Sequence, residues 1–398
     1  MQVVIMGMGY IGLPTAALIA SRQIPVHGVD VNKSVTDTIN KGKIHIVEPD
    51  LEGLVHYAVQ QGFLIASTQA READVFIVAV PTPFKGDHEP DLSFVEVATR
   101  MVLPHLKPGN LFIIESTSPV GTTQKMADLI FRERSELKNK ISVAYCPERV
   151  LPGSVIYELQ NNDRVIGGID EQSTENALAF YSKFVKGNLH KTNSRTAEMC
   201  KLVENAYRDV NIAFANELSI ICDKAGINVN ELIDLASKHP RVKILKPGPG
   251  VGGHCIAVDP WFIVSQFKDE AKIIQLARLV NNDKKKWVIG KVSEAAADFE
   301  KQNGRRPLIA CMGLAYKANI DDLRESPALE IYFDLLNKKY NVMAVEPNLL
   351  AHPEIKLINP LKAVQEADIL VFLVDHKEFR SLIFADEKIR LDFCGTVK

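Results

Sequence analysis

Short apolar runs punctuate the first half of the chain: Val3–Met6, Val26–Val29, Val75–Val80, Leu111–Ile114 and Ile141–Ala144. Each is followed by a longer segment in which apolar residues return every three or four positions. Uninterrupted apolar runs of this length are what strands need when both faces of a sheet are covered, so the pattern predicts a parallel sheet flanked by helices over residues 1 to about 190. From Thr196 to about Lys224 the text becomes one continuous helical pattern, TAEMCKLVENAYRDVNIAFANELSIICDK, with Gly226 as its stop. More helix is expected to about Phe299. Past the polar KQNGRR come the strand-like LIACMGLAY, a helix from about Pro327 to Lys338, and the strands NVMAVEP and DILVFLVDH. The expected fold class is α/β, with two doubly wound domains joined by a central helical region built on one long helix. The domains fall at 1–190, 191–300 and 301–398.

Length and composition agree with several domains and a sizeable core: 398 residues, 46% hydrophobic and 24% charged. With 47 basic against 49 acidic residues the formal charge is −2, which gives no electrostatic reason to expect nucleic acid or an anionic membrane as partner. No apolar run approaches the roughly 18 residues of a membrane helix. The opening MQVVIMGMGYIG has no basic n-region and its apolar run ends in glycines, so it reads as a strand rather than a signal peptide. The six cysteines at 146, 200, 222, 255, 311 and 394 form no CxxC pair and no metal-ligand spacing. A reducing, cytoplasmic setting without a structural metal is expected.

The first strand runs straight into Gly7-Met8-Gly9-Tyr10-Ile11-Gly12 and then into the helical LPTAALIASR. In such a GxGxxG turn the first glycine permits the bend, the second admits a pyrophosphate against the main chain, and the third lets helix and strand pack closely. The next strand ends in Asp30, about 20 residues on, where an acid binds the adenine ribose hydroxyls. A carboxylate there repels a 2′-phosphate, so this Rossmann-like unit is expected to take NAD rather than NADP. The bland alternative is a glycine turn beside a surface aspartate. Two more loops leave strand ends, VPTP with Thr82 and ESTSPVGTT with Thr117. Ligands in open α/β sheets bind at that edge, although loop hydroxyls also serve as plain turn formers.

Lys201, Asn205 and Arg208 lie at i, i+4 and i+7, within about 60° of arc on the long helix at about 100° per residue. The apolar neighbours Leu202, Val203, Ala206 and Val210 suggest that much of this helix is buried. Such a stripe can be a solvated face; beside a nucleotide domain, a lysine and an asparagine can also hold a reacting oxygen. The stretch GPGVGGHCIAVDPW places Cys255 behind four glycines and four positions ahead of Asp259. A lone cysteine is commonly a small buried hydrophobe. Here the dense glycine predicts close approach of something to the main chain. A cysteine nucleophile next to NAD suits aldehyde oxidation through a thiohemiacetal to a thioester. Glu148, in YCPER at a strand end, is a candidate base for hydrolytic release.

These residues resemble the UDP-glucose/GDP-mannose dehydrogenase family. GMGYIGLPTAA, IHIVEPDL, AVPTPFKGDHEPD, ESTSPVG, AYCPERVLPG, NSRTAEMCKLVENAYRDVNIAFANE, HPRVKILKPGPGVGGHCIAVDPWF and NIDDLRESPA carry the resemblance over essentially the whole chain. The resemblance implies two successive oxidations at C6 of a nucleotide sugar, using two NAD+ and one water. It implies Cys255 as nucleophile, Lys201 and Asn205 as oxyanion stabilisers, Asp259 as organiser of water and protons, and Glu148 in thioester hydrolysis. Thr117 joins the catalytic set. For the cofactor it implies Gly7, Gly9, Tyr10, Ile11, Gly12, Asp30, Thr82, Thr117 and Arg324.

For the UDP-sugar it implies Glu148, Arg149, Val150, Lys201, Asn205, Arg208, His239, Arg241, Gly252, Tyr316 and Lys317, with the glycines before Cys255 lying against the nucleotide. It further implies a homodimer through the long helix, with Arg241 reaching into the partner's site. Within the family, HPRV, Arg149, Arg208 and GGHC resemble the branch acting on UDP-N-acetyl-D-mannosamine, for surface polysaccharides such as enterobacterial common antigen. UDP-N-acetylglucosamine and UDP-glucose remain alternatives. Tyr316 departs from the family's pattern by standing where GLAFK has phenylalanine, which adds one hydroxyl.

Overall fold

Val3, Val4, Ile5 and Met6 are all buried, and they divide by parity: Val3 and Ile5 join the core on one side of the sheet, Val4 and Met6 the core on the other. Side chains alternate across a strand, so a run buried on both faces must be apolar throughout. Ile309 and Cys311 against Ala310 and Met312 repeat this near the C-terminus. At about 1.5–3 kcal/mol per large buried aliphatic side chain, these positions fix which segments become central strands.

The computed structural model describes residues 1–86, 88–151 and 153–397. Asp87 and Pro152, inside two of the motifs quoted above, lie outside the described residues. The chain divides into two compact units, Met1–Glu204 and Asn205–Lys398. The first contains β1 (Val3–Met6), α1 (Gly12–Ala20), β2 (Val26–Val29), α2 (Lys33–Asn40), α3 (Leu51–Gln60), β3 (Leu64–Ser67), β4 (Val75–Val78), the small hairpin β5 (Phe84–Lys85) and β6 (Glu89–Pro90), and α4 (Ser93–Val102). It continues with β7 (Leu111–Ile114), α5 (Thr122–Glu133), β8 (Ser142–Tyr145), α6 (Val155–Asn161), β9 (Arg164–Gly168), α7 (Glu171–Tyr181) and β10 (Leu189–Asn193). The main sheet has eight strands in the order β10-β9-β8-β7-β4-β1-β2-β3. From β3 to β8 the neighbours are parallel, and the order reverses at β1 and β4, which is the doubly wound nucleotide-binding topology. Pairing of Met6 with Val29 and Val78, and of Ile114 with Val78 and Tyr145, aligns the strand ends, so the loops that follow emerge at one edge.

The long helix α8 (Ser194–Ala225) runs across the boundary into the second unit. Gly226, at φ +69°, follows it. The second unit adds α9 (Val229–Ala236), α10 (Asp259–Gln266), α11 (Lys272–Asn303), β11 (Leu308–Met312), α12 (Pro327–Asn337), β12 (Asn341–Val345), α13 (Pro360–Glu366), β13 (Ile369–Phe372) and β14 (Ile389–Asp392). Its sheet is parallel in the order β12-β11-β13-β14. Ser326 caps α12, its side chain accepting the Leu329 N–H, and Pro327 supplies a first-turn residue needing no donor.

Three departures from the sequence reading have physical causes. The strands β3, β9, β10 and β14 were not anticipated. β3, β10 and β14 are sheet edges with exposed or half-buried positions, and β9 (RVIGG) has two glycines and an arginine. β9 also pairs antiparallel with β8, which makes the large sheet mixed at that end. The helical text expected through the central region stops at Ala236 and resumes at Asp259, and residues 237–258 form no helix or strand. Finally, Val203 is 43% exposed rather than part of a buried helix face.

Candidate active site

In the first unit the three glycines after β1 have three separate reasons. Gly7 adopts φ +91°, and a Cβ there would sit 2.6 Å from the Ala79 carbonyl oxygen. A Cβ on Gly12 would collide with the Gly7 carbonyl oxygen at 1.8 Å, so only glycine lets α1 start so close to the turn. At Gly9 a Cβ would meet nothing within 4 Å; the turn there is open for a ligand to approach. Asp30, just past β2, is tied to this turn: its Oδ2 accepts the Met8 N–H at 3.0 Å and its Oδ1 the Asn32 N–H at 2.9 Å. Each oxygen spends one lone pair on the fold and keeps another for ribose hydroxyls. Tyr10 is exposed and Ile11 half-buried. These residues fit a dinucleotide, with the main-chain cradle, the open glycine and the carboxylate in one place.

Thr82 and Thr117 stand half-buried on loops at the same sheet edge. Ser116 links those loops, its Oγ accepting the Val80 N–H at 2.9 Å. Glu148 follows β8; its Oε1 accepts the Val150 N–H, and its Oε2 lies 3.9 Å from Lys201 Nζ. Both side chains of this ion pair are largely buried, which strengthens the attraction over that of a surface pair. Arg149 is held by Glu204, with Nη2 at 2.8 Å, and donates through Nη1 to the Asp163 carbonyl at 3.0 Å. Beneath them lies a buried group that the sequence reading missed. The Tyr181 hydroxyl donates to Glu115 Oε1 at 2.6 Å, and Arg164 sits 3.7 Å from Glu115. Burial raises the Glu115 carboxyl above its ordinary range, and it pushes the neighbouring Cys146 thiol up to about 11.

Glu198, on α8, is buried and accepts from Gly121 N at 2.6 Å, Thr123 N at 2.7 Å and Thr123 Oγ1 at 2.6 Å. It satisfies orphan donors at the start of α5 and pins the loop that carries Thr117. Glu48, in IHIVEPDL, does the same for α6 through the Gly153 and Val155 N–H groups.

In the second unit Asn205 donates to Asp259 Oδ2 at 2.6 Å, with both side chains buried. Asp259 opens α10, and its N–H donates to the Cys255 carbonyl at 2.8 Å, as does the Val258 N–H at 3.0 Å. The turn therefore holds Cys255 against the start of the helix that carries Asp259. Of the six cysteines, none in a disulfide, only Cys200 and Cys255 are partly exposed. Burial pushes Cys311 up to about 12 and Cys394 well above the ordinary thiol range, which leaves them protonated.

The glycines before Cys255 pack against the chain itself. A Cβ on Gly252 would lie 2.4 Å from the Glu325 carbonyl oxygen and 2.7 Å from Tyr316 Cβ, and one on Gly253, at φ +80°, 2.8 Å from the Tyr316 ring. The close approach expected there is thus to the protein's own loop, and no nucleotide is needed to explain it. That loop is closed on itself: the Tyr316 N–H donates to the Asp322 carbonyl at 3.1 Å, and the Asp322 carboxylate grips Arg324 at 2.6 Å.

Glu346 and His376, also missed, lock the turn after β11. Gly313 has φ +95° and donates to the Val345 carbonyl, as Gly7 does to that of Val29. Glu346 Oε2 accepts from Leu314 N at 2.8 Å and Ala315 N at 2.9 Å, and His376 Nε2 lies 3.0 Å from it. Glu346 occupies the place that Asp30 holds in the first unit, with its carboxylate enclosed by the protein. Arg208, His239, Arg241 and Lys317 are exposed and stand outside these buried groups.

Three family models match the chain in order: the NAD binding domain of the UDP-glucose/GDP-mannose dehydrogenase family over residues 1–185, its central domain over 195–283 and its UDP binding domain over 310–395. The chain belongs to the UDP-glucose/GDP-mannose dehydrogenase family. It is an NAD-dependent UDP-sugar dehydrogenase with the two Rossmann-like domains and central helical region of that family. It is 55% identical to the UDP-N-acetyl-D-mannosamine dehydrogenase of Campylobacter jejuni, over 95% of this chain and 96% of that protein. It is 53% identical to the NDP-N-acetyl-D-galactosaminuronic acid dehydrogenase of Ralstonia nicotianae, over 95% and 91%. The solved structure of a UDP-D-ManNAc dehydrogenase from Pyrococcus horikoshii superposes with TM-score 0.90 at 38% identity, covering 100% of this chain and 96% of that one. Among the described residues no helix is long and apolar enough to cross a membrane.

Proposed function

We propose that this chain oxidises UDP-N-acetyl-D-mannosamine at C6 to UDP-N-acetyl-D-mannosaminuronate, consuming two NAD+ and one water per sugar, in the supply of a surface polysaccharide. The observation that carries the reading is the hydrogen-bonded unit Asn205–Asp259–Cys255, with a partly exposed thiol beside an ordered acid. When bound, NAD would be held by Gly7, Gly9, Tyr10, Ile11, Gly12, Asp30, Thr82, Thr117 and Arg324 and would supply the hydride acceptor for each oxidation.

The chain's own residues do the rest. The C6 hydroxyl gives its proton to water organised by Asp259 as the first hydride leaves, giving an aldehyde, and the Cys255 thiol adds across that carbonyl, sulfur to carbon and proton to oxygen, to form a thiohemiacetal. Loss of the second hydride, with the hydroxyl proton passing to the same water, leaves a thioester. Water, guided by Asp259 and Glu148, replaces the sulfur and releases the carboxylate and the thiol. Lys201 and Asn205 stabilise negative charge on the C6 oxygen, a task for a buried cation and an amide donor. Covalent capture keeps the aldehyde from escaping between the two oxidations. The proposed UDP-sugar contacts are Glu148, Arg149, Val150 and Lys201 in the first unit, and Asn205, Arg208, His239, Gly252, Tyr316 and Lys317 in the second.

We assign 1–190 to NAD, 191–300 to catalysis and dimerisation, and 301–398 to UDP. Support for a homodimer comes from α8: Val203, Tyr207, Phe214 and Ile221 are exposed, and their spacing puts them within about 40° of arc on one side of the helix. Arg241 would enter the partner's site. Six cysteines without a disulfide suit the cytoplasm.

The NADH released per sugar tests the four-electron chemistry: two are expected, and one would reject it. Cys255→Ser should abolish uronate formation and spare NAD binding; undiminished uronate would refute the covalent route. The 53% relative named for N-acetyl-galactosaminuronic acid favours a second substrate reading. Specificity constants for the UDP-linked N-acetylmannosamine, N-acetylglucosamine, N-acetylgalactosamine and glucose substrates separate the candidates.

A further inference from the structure

The thiol's strap, residues 248–253, forms no helix or strand, so whatever fixes it must come from elsewhere in the fold. On one side it meets the loop of Tyr316 and Arg324: the Gly253 N–H donates to the Arg324 carbonyl at 3.1 Å. On the other side stands Asn216 of α8, 0% exposed. Its Oδ1 accepts the Gly248 N–H at 2.8 Å, and its Nδ2 donates to Asn281 Oδ1 at 2.9 Å. Asn281, on α11, donates in turn to Asp209 Oδ1 at 2.8 Å and to the Asp209 carbonyl at 3.1 Å. Asp209 accepts from Arg278 Nη1 at 2.6 Å. A Cβ on Gly250 would come within 3.2 Å of the Asn281 carbonyl oxygen, so the strap touches this network twice.

Two helices that needed only stability would pack better with aliphatic side chains, because burying two amides and an ion pair costs desolvation that their bonds barely offset. A buried polar network supplies a fixed geometry instead. Here its free end is a single acceptor aimed at one main-chain N–H, seven residues ahead of Cys255.

We propose that Asn216 is a positioning residue for Cys255, setting the strap through Gly248 so that the thiol meets the sugar's aldehyde carbon before the aldehyde departs. The proposal rests on the covalent reading above. Asn216→Ala, in the full chain, should lower kcat for uronate about 10- to 100-fold while KM for NAD stays within about twofold, the signature of lost orientation rather than lost binding. Aldehyde should be trapped by hydroxylamine, NADH per uronate should exceed two, and the alkylation rate of Cys255 by iodoacetamide, read by peptide mass spectrometry, should change. Gly248→Pro removes the same N–H and leaves the Asn216–Asn281 amide pair in place; it should reproduce these effects if Asn216→Ala fails to fold. A role confined to helix packing would lower Tm and leave kcat per folded molecule, aldehyde trapping and alkylation at wild-type values in both variants, and that result overturns the proposal. If the wild-type protein keeps full turnover after Cys255 is alkylated, the covalent reading falls and takes the proposal with it. Wild-type inactivation by alkylation together with unchanged variants sinks the positioning role alone.

Discussion

Lys284 offers a test in which a titration reports on packing. It lies on α11 at 1% exposure, its Nζ donating to Ser219 Oγ at 2.5 Å and standing 3.6 Å from the centre of the Trp287 ring. Burial pushes its ammonium down to about 7, with Asp223 pulling the other way. In the unfolded chain the same group titrates near 10.4. Between those values the unfolded state binds the proton and the folded state does not, so stability must rise with pH across that window and be lowest below it. Integrated from about pH 6 to about pH 9, one such group contributes about 2–3 kcal/mol. The Trp287 face favours the cation and returns about 1 kcal/mol, which leaves about 1–2 kcal/mol.

Lys284→Met keeps the chain length, removes the charge and places sulfur near an aromatic ring that tolerates it. Urea denaturation of both proteins across that pH range isolates the lysine, since every other group is shared. The variant should be the more stable, with an advantage largest at low pH that shrinks by about 1–2 kcal/mol toward high pH. A difference that stays flat would mean that the amine is charged throughout, carried by Trp287 and Asp223, and the burial argument would be refuted.

Other sites give sharper single readouts. Glu198→Ala orphans the Gly121 and Thr123 donors, which should cost about 2–4 kcal/mol in urea denaturation; a loss under about 0.5 kcal/mol would show that water replaces the carboxylate. Asp30→Ala should raise KM for NAD about 10- to 100-fold by removing charge-assisted bonds to the ribose and narrow the preference over NADP. An unchanged cofactor preference would remove Asp30 from the site. Glu346→Leu strands Leu314 N, Ala315 N and His376; it should lower stability by about 3–5 kcal/mol and raise KM for the UDP-sugar more than KM for NAD. Equal effects on both would show that the lock serves general stability alone.

The order in which these features became visible follows from how far away their partners lie. Central strands were legible because burial on both faces forces four apolar residues in a row. Edge strands such as β10, LHKTN, carry no such constraint, because water satisfies one side. Asp30 was legible from spacing alone, since strand, turn and helix have nearly fixed lengths. Glu346 follows β12 as Asp30 follows β2, yet no run of three glycines precedes it, and its partner His376 is 30 residues on. Its parallel with Asp30 emerges only when the two turns are compared in three dimensions.

The helix α8 shows why the remaining residues escaped. Glu198, Lys201, Asn205, Asp209, Asn216 and Ser219 are all buried and fall within about 80° of arc, while the exposed Val203, Tyr207, Phe214 and Ile221 cluster about 180° away. A sequence reading that puts polar residues in water assigns these two stripes the wrong way round. The inversion has one physical solution: each buried polar group must find a partner inside the protein. Glu198 finds the Thr117 loop, Lys201 finds Glu148, Asn205 finds Asp259 and Asn216 finds Gly248. A helix that spends its buried face in this way gives up hydrophobic stabilisation along its 32 residues, and in exchange each of these four buried polar groups holds one loop of the unit it belongs to. The exposed apolar stripe opposite is the face through which the proposed homodimer would recover that stability.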